Sequence, residues 1–101
     1  MRFQQQGDVL MTQVKSIPKT AQKKEGRAIL AFGEATGHCH EALGDGVEMY
    51  EKDSVLYLSA PRGATVTHQE HHAQTLDPGT YQIGIVKEYD HFAEEARNVR
   101  D

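Results

Sequence analysis

The stretch TYQIGIVKE, residues 80–88, is the clearest strand signal in the sequence. Its β-branched and aromatic residues favour an extended chain, and the turn sequence Asp77-Pro-Gly79 comes directly before it. Outward from this stretch, short apolar or alternating segments recur between turns that contain glycine or proline. The repetition predicts an all-β protein.

Six further strands are predicted upstream, each four to eight residues long. Gly44-Asp-Gly46 has the composition of a hairpin turn. Residues 20–26 are polar and lysine-rich, and we expect a mobile loop there. In the first strand, Val9 and Met11 point to one face, since side chains alternate along a strand. The six strands cover residues 7–14, 27–32, 38–43, 47–50, 54–60 and 64–68.

The C-terminal tail has a different pattern. Asp90 is a suitable helix N-cap, and Phe92, Ala93, Ala96 and Val99 follow at helical spacing. We therefore expect one short helix over residues 91–99. Together with the strands, it predicts a small antiparallel barrel or sandwich that carries a C-terminal helix, all within a single domain, 1–101.

Composition excludes several classes of protein. Leu, Ile, Val and Phe make up only 20 of the 101 residues, so the core is thin, and we expect help from a metal, a ligand or a homo-oligomer. A net charge of −4 gives no general attraction for nucleic acid. No apolar run approaches the roughly 20 residues of a transmembrane helix, and no secretory signal is visible. With Cys39 as the single cysteine, a cytoplasmic location is expected.

Histidines are concentrated in two segments of the chain. The first is Gly37-His-Cys-His-Glu41 and the second is His68-Gln-Glu-His-His72. Residues two apart on a strand share a face, so His38 and His40 converge while Cys39 points away as a small buried side chain. His68, with His71 or His72, would complete a three-histidine shell with an open position. The rival interpretation is a polar loop and a hydrogen-bonded histidine pair beside a pocket without metal.

Gly33, the pair His38 and His40, a later histidine on another strand and the Asp77-Pro-Gly79 turn resemble the metal-binding motifs of the cupin superfamily. The resemblance implies a small β-barrel that binds a divalent metal through HxH, a glutamate and a third histidine. The sequence departs from this pattern, because only Asp45 is acidic where the glutamate is expected and because Pro-Gly follows the last histidine. The chain also resembles short bacterial and phage-type proteins with GHxH and HxxHH-like segments, which implies no function.

Acidic side chains near the histidines suggest a chemistry. Glu34 or Glu70 could take a proton from a metal-bound water, and Tyr81 could donate to a developing oxyanion. We therefore expect a metal-dependent hydrolase that acts on a small molecule, with Zn²⁺ as the first choice of ion and Fe, Ni or Mn as alternatives. The other hypothesis is a non-catalytic metal- or ligand-binding module, such as a sensor or an assembly subunit.

Overall fold

The computed structural model describes residues 3–33 and 37–86 of the chain. These residues contain ten β-strands and no helix, so the prediction of an all-β protein is confirmed for them. The helix predicted for residues 91–99 lies outside the described residues. The strands are β1 Phe3–Gln6, β2 Val9–Val14, β3 Gln22–Lys24, β4 Ile29–Phe32, β5 Cys39–Leu43, β6 Glu48–Lys52, β7 Val55–Ala60, β8 Ala64–Thr67, β9 Gln74–Leu76 and β10 Gly79–Ile85.

The described strands form two antiparallel sheets. The six-stranded sheet has the order β1-β2-β10-β7-β6-β3, and the four-stranded sheet has the order β4-β5-β8-β9. The two sheets share one hydrophobic core, because strand alternation turns one face of each sheet towards it. Its fully buried members come from both sheets and include Val9, Met11, Leu58, Val66 and Leu76.

Glutamine side chains join the two sheets along one side. Gln4 Nε2 donates to Gln74 Oε1 at 3.3 Å and to the carbonyl oxygen of Thr75 at 3.2 Å. Gln74 Nε2 donates in return to the carbonyl oxygen of Gln5 at 2.7 Å. These amides link β1 and β9, the edge strands of the two sheets, although no backbone ladder connects them in the described residues.

The prediction of a mobile loop over residues 20–26 is wrong, because these residues include β3. This strand pairs antiparallel with β6 at the edge of the six-stranded sheet. Lys23 lies 2.7 Å from Glu48, and Lys24 lies 3.1 Å from Glu51, so each lysine faces a carboxylate on the neighbouring strand. An exposed edge strand needs no apolar face, which is why its composition looked like that of a loop.

The predicted hairpin at Gly44-Asp-Gly46 is also wrong. β5 pairs with β4 and β8, whereas β6 pairs with β3 and β7. The turn therefore carries the chain from the four-stranded sheet to the six-stranded sheet. A Cβ atom on Gly44 would lie 2.8 Å from the carbonyl oxygen of Gly63, so the glycine serves a close backbone approach.

Two large apolar side chains lie exposed on edge strands of the described sheets. Phe3 of β1 is 65% exposed and Phe32 of β4 is 78% exposed. Homo-oligomer formation stays a prediction, which sedimentation would test. Among the described residues there is no helix with the length and apolar character to span a membrane.

Candidate metal centre

Four histidine rings lie together at one end of the two sheets. His38 and His40 come from the start of β5, His68 directly follows β8, and His71 lies in the loop before β9. The ring centres of His40 and His68 are 4.3 Å apart, and those of His68 and His71 are 4.7 Å apart. His38 is 5.7 Å from His68, and His40 is 5.9 Å from His71. We call these four residues the histidine cluster.

Strand alternation explains how β5 contributes to the cluster. His40 shares its inward face with Ala42, and both residues are buried. Cys39 and Glu41 lie on the opposite face, where Arg27 reaches both of them. The guanidinium forms a two-pronged contact with Glu41, and its hydrogen bond and charge lower the pKa of that carboxyl group. The face that carries His40 is therefore separate from the face that carries Cys39.

A buried glutamine fixes the orientation of the His40 ring. Gln6 Nε2 donates to the carbonyl oxygens of Val66 at 2.9 Å and His72 at 2.8 Å. Since both amide hydrogens are used, Gln6 Oε1 accepts from His40 Nδ1 at 2.8 Å. In the neutral ring the lone pair is therefore on Nε2. An acceptor behind a histidine is the arrangement that usually orients a metal ligand.

Glu70 contacts two rings of the cluster in different ways. Its carboxylate Oε2 lies 2.8 Å from His38 Nδ1, which leaves Nε2 of that ring for another partner. Its backbone N–H donates to His68 Nδ1 at 3.0 Å, so the neutral His68 ring carries its proton on Nε2. His68 would have to release this bond before it could bind an ion. Among the described residues, no group of three or more His, Cys, Asp or Glu side chains is already arranged to hold a metal ion.

Two glycines make room for the rings. A Cβ atom on Gly7 would lie 2.7 Å from His71 Nε2, and Gly7 has a φ of +58° in the turn between β1 and β2. A Cβ atom on Gly33 would lie 2.9 Å from the Cβ of His38 and 3.3 Å from His68 Nε2. Larger residues at either position would push a ring out of the cluster.

Burial and mutual repulsion favour the neutral form of the two central rings, His40 and His68. The pKa of His40 is lowered first by burial and then by His68, while Asp8 opposes the shift. The pKa of His68 is lowered by burial, by His71 and by His38. A neutral imidazole is the form that binds metals. The electrostatics of the cluster therefore favour the metal-binding form near neutral pH.

The other predicted site residues occupy different places. The His72 side chain is exposed, and it is the backbone carbonyl of this residue that contacts Gln6. The hydroxyl of Tyr81 donates to the carbonyl oxygen of Asp77 at 2.6 Å. Tyr81 lies on β10 four residues before Ile85, and Ile85 pairs with Val9, the first residue of β2. Four residues of a strand span about 13 Å, so Tyr81 is about that far along the sheet from the start of β2. Glu34 lies outside the described residues.

The sequence interpretation missed Gln6, Gly7 and Asp8, which meet the cluster from the turn between β1 and β2. Asp8 Oδ1 lies 3.6 Å from His40 Nε2. Gly7-Asp8 is the two-residue turn of a hairpin in which Gln6 pairs with Val9. A glycine at the first position of such a turn is a sequence signal that could have predicted this hairpin. Which histidines the turn would face depends on how the two sheets pack.

The region that carries the histidine cluster also carries a family match. Residues 5–85 match a family described as a domain of unknown function (DUF8820). The chain belongs to this family. The match includes all four rings together with Gln6, Gly7 and Asp8. No curated protein and no solved structure matches the chain.

Proposed function

We propose that this chain is a binding protein for a divalent transition metal and that the histidine cluster is the metal site. The hydrogen bond between Gln6 and His40 carries the proposal, because it leaves a lone pair on Nε2 of a ring that lies beside the His68 and His71 imidazoles. Imidazole suits Zn, Cu, Fe and Ni. Zn²⁺ is the first candidate, and Fe, Ni and Mn are the alternatives.

His38 and His40 are the best-prepared ligands. Each has an oxygen acceptor at Nδ1, from Glu70 or Gln6, so that both neutral rings present Nε2. His71 or His68 supplies a third nitrogen after its ring turns, and the fourth position stays open. For His68 this step gives up the bond from the Glu70 N–H, which is exposed and can bond to water instead. The net free-energy cost of that exchange is about 1 kcal/mol or less.

The non-catalytic function is the better supported of the two hypotheses. Tyr81 lies well along β10 from the cluster, and the Glu70 carboxylate is engaged with His38. A metal-dependent hydrolase acting on a small molecule is the second candidate. Its support is the outer side of the cluster, where His71 is exposed and Glu70 is 66% exposed, so that water and a substrate have access.

The fold type and the cellular location of the protein are proposed from separate features of the chain. We propose a cupin-like sandwich, supported by one core between two antiparallel sheets and by the HxH pair at the start of β5. We also propose that the protein works in the cytoplasm, which suits a chain whose Cys39 is free and buried.

Metal binding is tested on full-length protein that carries no histidine tag. We expect one Zn²⁺ per chain by elemental analysis and by calorimetric titration. His40→Gln should weaken binding at least tenfold, because it removes the buried ligand. His72→Gln is the matched control, and it should bind like the wild type. Wild-type protein that binds less than one ion per chain, with no change in His40→Gln, would contradict the proposal.

Hydrolysis needs a separate test. Ester, lactone, phosphodiester and amide substrates are incubated with the zinc-loaded protein, with and without a chelator. Chelator-sensitive turnover that is lost in Glu70→Gln would support the hydrolase with Glu70 as its base. Stoichiometric zinc without turnover of any substrate class would support the binding module.

A further inference from the structure

Asp8 faces His40 from the other sheet. It lies in the turn between β1 and β2 of the six-stranded sheet, whereas His40 is in β5 of the four-stranded sheet. Asp8 Oδ1 is 3.6 Å from His40 Nε2, a separation too long for a hydrogen bond. The carboxylate is 58% exposed, and the facing imidazole is only 3% exposed. The Asp8 carboxylate is therefore open to solvent, whereas the His40 ring is not.

The two facing atoms are both acceptors in the neutral site. Gln6 uses its two amide hydrogens on Val66 and His72, so its oxygen must accept the Nδ1 proton of His40. The lone pair is then on Nε2, the ring atom that lies 3.6 Å from Asp8 Oδ1. A lone pair and a carboxylate repel each other unless a proton, a water molecule or a metal cation lies between them, and a metal cation is the one of these that other imidazoles could also bind.

The separation of the two atoms fits such a cation. Zinc binds histidine nitrogen at about 2.0 to 2.1 Å and carboxylate oxygen at about 2.0 to 2.2 Å. Two such ligands at a tetrahedral angle are about 3.3 to 3.5 Å apart. The observed 3.6 Å between Asp8 Oδ1 and His40 Nε2 is close to this value.

We propose that Asp8 is a metal ligand, so that the site combines a carboxylate from one sheet with histidines from the other. This inference rests on the proposed metal-binding function and adds a residue to it. Asp8 and His40 form the part of the site that is already in place, and other imidazoles complete the shell by rotating. The carboxylate also offsets one of the two positive charges of the ion, which a shell made only of histidines would leave in full.

The experiment compares Asp8→Asn with Asp45→Asn in full-length, tag-free protein. Asp45 is an exposed aspartate in another turn, 3.9 Å from Arg62, and it is the matched control. Zn²⁺ affinity should fall at least tenfold in Asp8→Asn and stay unchanged in Asp45→Asn. Both metal-free variants should keep the circular dichroism spectrum of the wild type.

A second variant tests direct ligation. Asp8→Cys places a thiolate at the same position, and with Co²⁺ it should show a sulfur-to-cobalt charge-transfer band in the near ultraviolet that the wild type lacks. If the wild type binds no metal, the proposed function and the role of Asp8 both fail. If the wild type binds one ion while Asp8→Asn binds equally well and Asp8→Cys shows no new band, only the role of Asp8 is overturned.

Discussion

Replacing Gln6 by Met tests how much the buried amide contributes to stability. Gln6 is 1% exposed and makes three hydrogen bonds with its side chain. Met has a similar length and flexibility and fills irregular space well, so the substitution removes hydrogen bonding with little change of shape. Two partners, the Val66 carbonyl oxygen and His40 Nδ1, are in buried contacts, and the His72 carbonyl oxygen is partly buried.

The expected loss of unfolding free energy follows from these three partners. Leaving a buried donor or acceptor without a bond costs about 1 to 3 kcal/mol, so Val66 and His40 together contribute the larger part. The His72 carbonyl can recover a bond to water, and the apolar Met side chain gains from burial. We expect a net loss of about 2 to 4 kcal/mol, which is a large fraction of the roughly 5 to 15 kcal/mol of a domain of this size.

The assay is urea unfolding followed by circular dichroism and by tyrosine fluorescence, since the chain has 4 Tyr and no Trp. Gln5→Met is the matched control, because Gln5 is the exposed neighbour on β1 and its amide bonds to Gly7 of the same turn. The control should change stability by less than about 0.5 kcal/mol. If the two variants lose the same amount, the account of Gln6 is wrong. Nitrogen NMR of His40 should also show the Nδ1–H tautomer in the wild type and its loss in Gln6→Met.

Three further predictions concern pH, the turn and the core. Because the folded protein holds the pKa of His40 and His68 below the ordinary 6.5, the unfolded chain takes up protons first. The stability of the metal-free protein is therefore highest above about pH 6.5 and falls as the pH drops below it. The free energy of unfolding falls by up to about 1.4 kcal/mol per pH unit for each histidine, until the pKa of the folded state is reached. Urea midpoints at pH 5.5, 6.5 and 7.5 check this, and His40→Gln should weaken the dependence of stability on pH. Gly7→Ala places a Cβ 2.7 Å from His71 at a φ of +58°, so we expect a loss of about 1 to 2 kcal/mol and weaker Zn²⁺ binding, measured by urea unfolding and calorimetry. Leu58→Ala removes a fully buried side chain and should lower the free energy of unfolding by about 2 to 5 kcal/mol. The folded fraction should still bind Zn²⁺ normally, and weakened binding would show that the core and the histidine cluster are coupled.

Local alternation made much of the fold predictable. Val9 and Met11 are buried on one face of β2, as the sequence pattern predicted, and Ala64 and Val66 do the same on β8. His68 continues this alternation two residues after Val66, and its ring lies in the cluster. A period of two residues needs no knowledge of the partner strands, so it could be read from the sequence alone.

Features that depend on distant partners could not be predicted in this way. Gly44-Asp-Gly46 has hairpin chemistry, but which strands pair on either side is decided by the packing of two sheets. β3 was missed because its stability comes from pairing with β6 rather than from apolar residues of its own. Gln6 carried no signal at all, since its importance lies in three partners that are 34 to 66 residues away.

These separations give the Gln6 contacts a place in the folding process. The bond from Gln6 to His40 closes a loop of 34 residues, and the bond to His72 closes one of 66. Contacts of this kind form only after the chain has lost the entropy of bringing distant segments together, and proteins rich in them fold slowly. Hairpins such as β6–β7 need no such step. We therefore expect refolding signals from the His40 ring to appear after those of the hairpins, which would make this ring a reporter of the moment when the two sheets come together.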